Sequence, residues 1–402
     1  MSFGWPTPSS DNSISKAEGE KFIESDKKKF GRKGYSEERN IYEQRRQAVE
    51  NYLIDPENLK MVETEFGSAK VRTVIARWDA PEDLREVGAK PDTLRITIYV
   101  PGMFECDKPN FGNYPLEIKL AGTMLMGDAE SFVVLKAEGL NKEAYIDDGG
   151  QGRGQGLVAE EAVKQLEKSL QAMKQKMGLG EEAKIEFEVV GSSEGSTQGA
   201  SIAEKIVERN LGKVNAFTSI GGVGLAGGED QTEVAVINQL RAKIDPKNEY
   251  QMPKTYSEVG EDTFLINRQM IGDAKQGGYE YSLGKAYVDP KGDIRNVAKW
   301  GWRYLKSKLG LAEEVPHERV QAVFIKNHDF DKLATNGVPI VVLAGSEDRI
   351  FPAAEIQKGV EDLRSRGGKA LLLITNMGHS FPHENPSGAA MALRLFRNKA
   401  GI

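Results

Sequence analysis

The chain has 402 residues, of which 39% are hydrophobic and 28% charged, and its net charge is −6. That balance suits one large α/β domain with an insertion, or two ordinary domains. The acidic excess, with lysines and arginines interspersed, argues mildly against nucleic acid or an anionic membrane as the main partner. The single cysteine, Cys106, excludes an internal disulfide and a cysteine-built metal cluster.

Residues 1–57 are polar and charged, with runs such as Asp26-Lys27-Lys28-Lys29 and Glu37-Glu38-Arg39. So little apolar content predicts an N-terminal extension that starts disordered and continues as a solvated helix. The opening MSFGWPTPSSDNS lacks the basic start and apolar core of a signal peptide, and the chain has no apolar run of bilayer length. A cytoplasmic protein without a membrane span is expected. From Met61 to Trp78, short alternating runs meet at Phe66-Gly67-Ser68, a β-hairpin signal. Leu94 to Val100 is β-branched and aromatic, and it stops at Pro101-Gly102. Further strands are expected at Glu143 to Asp147, Ile185 to Val190, Val214 to Ile220, Pro339 to Leu343 and Leu371 to Ile374. The last two are continuous apolar runs, as in strands buried on both faces of a parallel sheet. Helices are expected at Val158 to Met177, Ala200 to Arg209, Ala353 to Arg366 and, after the final strand, Ala389 to Arg397. This alternation predicts a mostly parallel, doubly wound α/β sheet. Residues 221–335 break it, opening on Gly221-Gly222-Val223-Gly224 and holding candidate helices without a clear strand. They read as a helical cap inserted between two parts of one core, 58–220 and 336–402.

Three short segments carry the chemistry. Gly191-Ser192-Ser193-Glu194-Gly195 is G-x-S-x-G between a strand and a helix, where a tight turn needs small residues on both sides of the serine and lifts its hydroxyl clear of the sheet. Alone, such a run is also what a flexible loop looks like. Gly345-Ser346-Glu347-Asp348-Arg349-Ile350-Phe351-Pro352 follows one apolar strand, and Met377-Gly378-His379-Ser380 follows the last. Serine, acid and histidine in this order, each at the carboxyl end of a strand, resemble the α/β-hydrolase superfamily over 58–220 and 336–402. Glu130 to Glu138 resembles that family's first core helix, and Asp147 to Gly154 its D-x-x-G-x-G loop. The latter run can also be read as a phosphate cradle.

The resemblance implies a catalytic triad of Ser193, Asp348 and His379. Ser193 would attack a carbonyl carbon, and His379 would take the serine proton and return it to the leaving group. Asp348 would orient the imidazole and stabilise its charged form. The implied oxyanion donors are the backbone N–H groups of Glu194 and Met103, the latter in Pro101-Gly102-Met103-Phe104. The family often has histidine before the oxyanion glycine, where this chain has Pro101. A second frame, Gly195-Ser196-Thr197-Gln198-Gly199, would make Thr197 the nucleophile instead. His317, His328 and His383 have no comparable setting. The implied activity is hydrolysis of a carboxylic ester or related acyl bond of a small-molecule acyl substrate, with no cofactor and no metal. Thioesterase, peptidase and carbon–carbon hydrolase chemistry stay open within the fold, as does a non-catalytic binding or scaffold role.

Overall fold

A computed structural model describes residues 56–79, 92–102, 130–145, 155–225, 263–266, 326–346 and 351–375, with positions 48, 52, 302, 305, 306, 309, 311, 323, 348, 379 and 393. The strands are β1 (Leu59–Phe66), β2 (Ala69–Asp79), β3 (Thr93–Val100), β4 (Glu130–Gly139), β5 (Lys184–Ser192), β6 (Lys213–Ile220), β7 (Thr263–Ile266), β8 (Ile340–Gly345) and β9 (Ala370–Thr375). They form one sheet in the order β1-β2-β4-β3-β5-β6-β8-β9-β7. β1, β2 and β4 pair antiparallel, and every later pairing is parallel. This is a mixed, mostly parallel sheet with helices between its strands, as the alternation in the sequence predicts.

The hairpin forms where the alternating pattern breaks, with Gly67 at φ +62° and Phe66 opposite Ala69. In β8 every residue is buried, and in β3 all but one. Successive side chains point to opposite faces, so both faces of these strands are covered. Helices α1 (Gln155–Lys176), α2 (Glu194–Glu208), α3 (Asp329–Thr335) and α4 (Ala353–Ser365) pack in sequence, α1 on α2, α2 on α3 and α3 on α4. Phe217 of β6 meets Phe330 of α3 edge-on, with ring centroids 5.2 Å apart. Both rings are fully buried, and truncating such a ring to alanine typically costs about 3–5 kcal/mol.

Several expectations are corrected. Glu130 to Glu138 is strand β4 and not a helix. Its Ser131-Phe132-Val133-Val134 run favours the pleat, and Ser131 and Phe132 pair with Thr97 and Ile98. Lys142–Tyr145 is a 3₁₀ turn where a strand was expected from Glu143. β7 lies within the segment expected to hold no strand, and its pairing with β9 extends the sheet edge. The end of that segment also joins the core: the Asn327 N–H donates to the Gly224 carbonyl at 2.9 Å, and its side-chain amide donates to Thr197 O at 2.8 Å. Ala48 and Tyr52 are helical, and the Tyr52 hydroxyl donates to the Arg77 carbonyl at 2.7 Å, tying the end of the N-terminal arm to β2. The helix expected at 389–397 lies outside the described residues except for Leu393.

Candidate active site

β5 ends at Ser192 and α2 begins at Glu194, leaving Ser193 alone in the turn, at φ 52° and ψ −124°. A non-glycine residue held in this region stores strain that the surroundings must enforce. Two glycines allow it. A Cβ on Gly191 would lie 2.1 Å from the Gly195 carbonyl oxygen, and one on Gly195 would lie 2.1 Å from that of Val100. The turn therefore closes on itself and also presses against the end of β3. It is further fastened by the Ser193 N–H, which donates to the Ile220 carbonyl at 2.8 Å. The Ser196 hydroxyl lies 3.0 Å from Gly191 O and 3.2 Å from Ile220 O.

Asp348 and His379 reach the same point from the ends of β8 and β9. The Ser193 Oγ lies 3.0 Å from His379 Nε2, and His379 Nδ1 lies 2.6 Å from Asp348 Oδ2. The Asp348 side chain is wholly buried and that of His379 is 10% exposed. The second carboxylate oxygen, Oδ1, accepts the Phe351 N–H at 2.9 Å. With both oxygens engaged, the carboxylate has one orientation toward the ring. The three residues proposed from sequence are thus linked by hydrogen bonds.

The other named positions separate clearly. Thr197 is buried in α2, where its hydroxyl donates to the Glu194 carbonyl at 2.8 Å. Ser192 is buried in β5. His328 precedes α3, 3.7 Å from Asp331. Glu194 opens α2, so its backbone N–H sits at the positive end of the helix dipole. Its buried side chain accepts from the Gln198 amide at 3.3 Å. Met103, Cys106, residues 147–154, His317 and His383 lie outside the described residues. Pro101, two positions before Met103, is described: its carbonyl oxygen would be 2.4 Å from a Cβ on Gly195.

Two participants were not singled out from sequence. Gly221, at φ +86°, faces the imidazole so closely that a Cβ there would lie 3.1 Å from His379 Cε1. Phe351 holds Asp348 through its backbone and sets its ring 5.6 Å from that of His379. The signal for Gly221 was present as a glycine pair directly after β6. It reads equally well as the start of an insertion.

No protein-family model matches the chain, and no curated protein matches it. Similar solved structures include Est816, an N-acyl homoserine lactone degrading enzyme, at 15% identity and TM-score 0.38 over 83% of this chain and 100% of that one. A thermophilic esterase from Thermogutta terrifontis is 14% identical at TM-score 0.38, covering 85% of this chain and 99% of that one. A carboxylesterase from the thaumarchaeon Nitrososphaera gargenis is 13% identical at TM-score 0.40, with the same 85% and 99% coverage. Likeness this distant carries no argument about activity.

Proposed function

We propose that the chain is a serine hydrolase that cleaves a carboxylic ester or related acyl bond through an acyl-enzyme on Ser193. The observation that carries this reading is the hydrogen-bonded chain from Ser193 through His379 to Asp348, on a serine held in a strained turn between two sterically required glycines. A serine hydroxyl is a weak nucleophile at neutral pH, and a neutral imidazole 3.0 Å away can remove its proton as the oxygen attacks. Asp348, fixed by the Phe351 N–H, holds the ring and stabilises the imidazolium that forms.

The attack turns the substrate carbonyl into an oxyanion. The proposed donors to it are the Glu194 N–H, at the start of α2, and the Met103 N–H, beyond the β3 end that packs against Gly195. Donors of this kind each contribute about 2.7–4 kcal/mol to the transition state. Collapse of the intermediate expels the leaving group, which takes the proton from His379. Water then attacks the acyl-enzyme by the same route in reverse, and Ser193 is regenerated. No step calls on a cofactor. We further propose that the segment inserted between the nucleophile and the acid, 221–335, selects the substrate through the stretch between β7 and α3.

A series of p-nitrophenyl esters of increasing acyl length tests this reading. The expected result is turnover of at least one ester, lost in Ser193→Ala. Folded protein that hydrolyses none of them, or a Ser193→Ala variant that keeps its rate, overturns it.

A further inference from the structure

Far in sequence from the serine site, the described residues expose an apolar stripe. Trp302 is 59% exposed, Leu305 43%, Leu309 61% and Leu311 71%. Trp302, Leu305 and Lys306 are helical, and the Leu309 N–H donates to the Leu305 carbonyl at 3.0 Å. The Leu311 N–H then donates back to Lys306 O at 2.8 Å. At about 100° per residue, Trp302, Leu305 and Leu309 fall within about 60° of one another, a single narrow face. Lys306 flanks it, with its ammonium 5.5 Å from the Trp302 ring centroid.

The charge around this stripe opposes that of the whole chain. Between Lys299 and Leu309 the sequence holds Lys299, Arg303, Lys306 and Lys308 and no acidic residue, the next acids being Glu313 and Glu314 beyond the stripe, in a chain whose net charge is −6. We propose that this segment docks on an anionic lipid bilayer, lying in the boundary between headgroups and acyl chains. The apolar side chains would enter the acyl layer. Trp302 suits that depth because its ring is apolar and its N–H is polar. Lys306 can lay its stem along the same face and raise its ammonium to the phosphates. The basic residues supply attraction to anionic lipid. A symmetric contact between two copies of the segment would instead bring like charges together. Among the described residues no helix is long and apolar enough to cross a membrane, so docking would be peripheral. The whole-chain charge, which argued mildly against an anionic membrane, does not describe this face.

Flotation of the full chain with vesicles tests the proposal without any turnover, independently of the hydrolase reading. The probes are vesicles of phosphatidylcholine alone and of phosphatidylcholine mixed with phosphatidylglycerol. Wild type should float with the mixed vesicles and much less with phosphatidylcholine, and added salt should release it. The pair Leu305→Ser/Leu309→Ser should weaken partitioning about tenfold or more, and Lys306→Glu should weaken it several-fold. Leu305 and Leu309 are exposed and Lys306 is half-buried, and circular dichroism checks that the variants are folded. Three results overturn the proposal: wild type that stays unbound with mixed vesicles, a serine pair that floats like wild type, or no flotation together with a dimer that the serine pair dissolves. The last would assign the face to a second copy of the chain.

Discussion

Ser193 and Thr197 are both hydroxyl residues in overlapping glycine-bounded frames, and their environments assign them different work. Thr197 spends its proton on the Glu194 carbonyl inside α2, while Ser193 faces the imidazole. Ser193→Ala is therefore expected to lower kcat by roughly 10⁴ to 10⁶, whereas Thr197→Ala leaves most of the turnover; steady-state rates on one ester decide between them. Gly221→Ala should act without touching substrate. Its Cβ would crowd His379 at 3.1 Å, and its φ of +86° strains any other residue, at a cost of about 1–3 kcal/mol. The expected outcome is a kcat lowered about tenfold or more, with a smaller change in KM and a lower Tm. An unchanged kcat would mean that the ring position does not depend on Gly221. His379→Ala should abolish turnover on the same ester, and His383→Ala should leave the rate in place. The three proposed catalytic residues were legible because each sits in a short motif at a strand end. Gly221 was not, because its reason is a ring that arrives from a position far along the chain.

At the scale of elements, α2 carries a like-charged pair one turn apart, Glu204 and Glu208, facing Lys332 and Asp329 of α3. Burial, then the hydrogen bond and charge of Glu208, push the Glu204 carboxyl from 4.5 up to about 7, against the pull of Lys332. Glu208 is lowered, chiefly because it accepts the shared proton. A carboxyl raised in the folded state binds its proton more tightly there than when unfolded. Its stabilisation is therefore full below about pH 4.5 and is lost as pH rises to about 7. Glu208 works in the opposite sense, losing its share as pH falls below its unfolded value. The difference in unfolding free energy between wild type and Glu204→Gln should accordingly slope by roughly 1–3 kcal/mol across pH 4.5 to 7. Denaturant titration at several pH values measures it, and parallel curves would contradict it. Which elements could be read from sequence follows from how they bury themselves. β8 and β9 are continuous apolar runs with no competing period. The first turn of α2 was missed because Glu194 to Gly199 is small and polar, resembling a loop until the elbow packs it against β3 and β6. β4 resembles a helix only through the family likeness, and its own β-branched residues favour a strand. β7 has only four residues, and its pairing with β9 is not a local property.

For the whole molecule, the inserted segment cannot be treated as a detachable lid. It contains the Gly221 turn against His379, strand β7 on the sheet edge and helix α3 on α2. Replacing all of 221–335 by a linker is expected to prevent folding. Replacing only 268–300 keeps those three pieces and should alter preference along an ester series while Ser193 stays reactive. An unchanged preference in that variant would remove the segment from substrate selection. The proposed hydrolysis depends on one atom, Ser193 Oγ, acting as the nucleophile. A fluorophosphonate probe reports on it most directly, since it reacts only with a serine activated by its base, and peptide mass spectrometry locates the adduct. The prediction is a single adduct on Ser193, absent from Ser193→Ala and from His379→Ala. A folded wild-type protein that takes no label, or takes it on another residue, would contradict it.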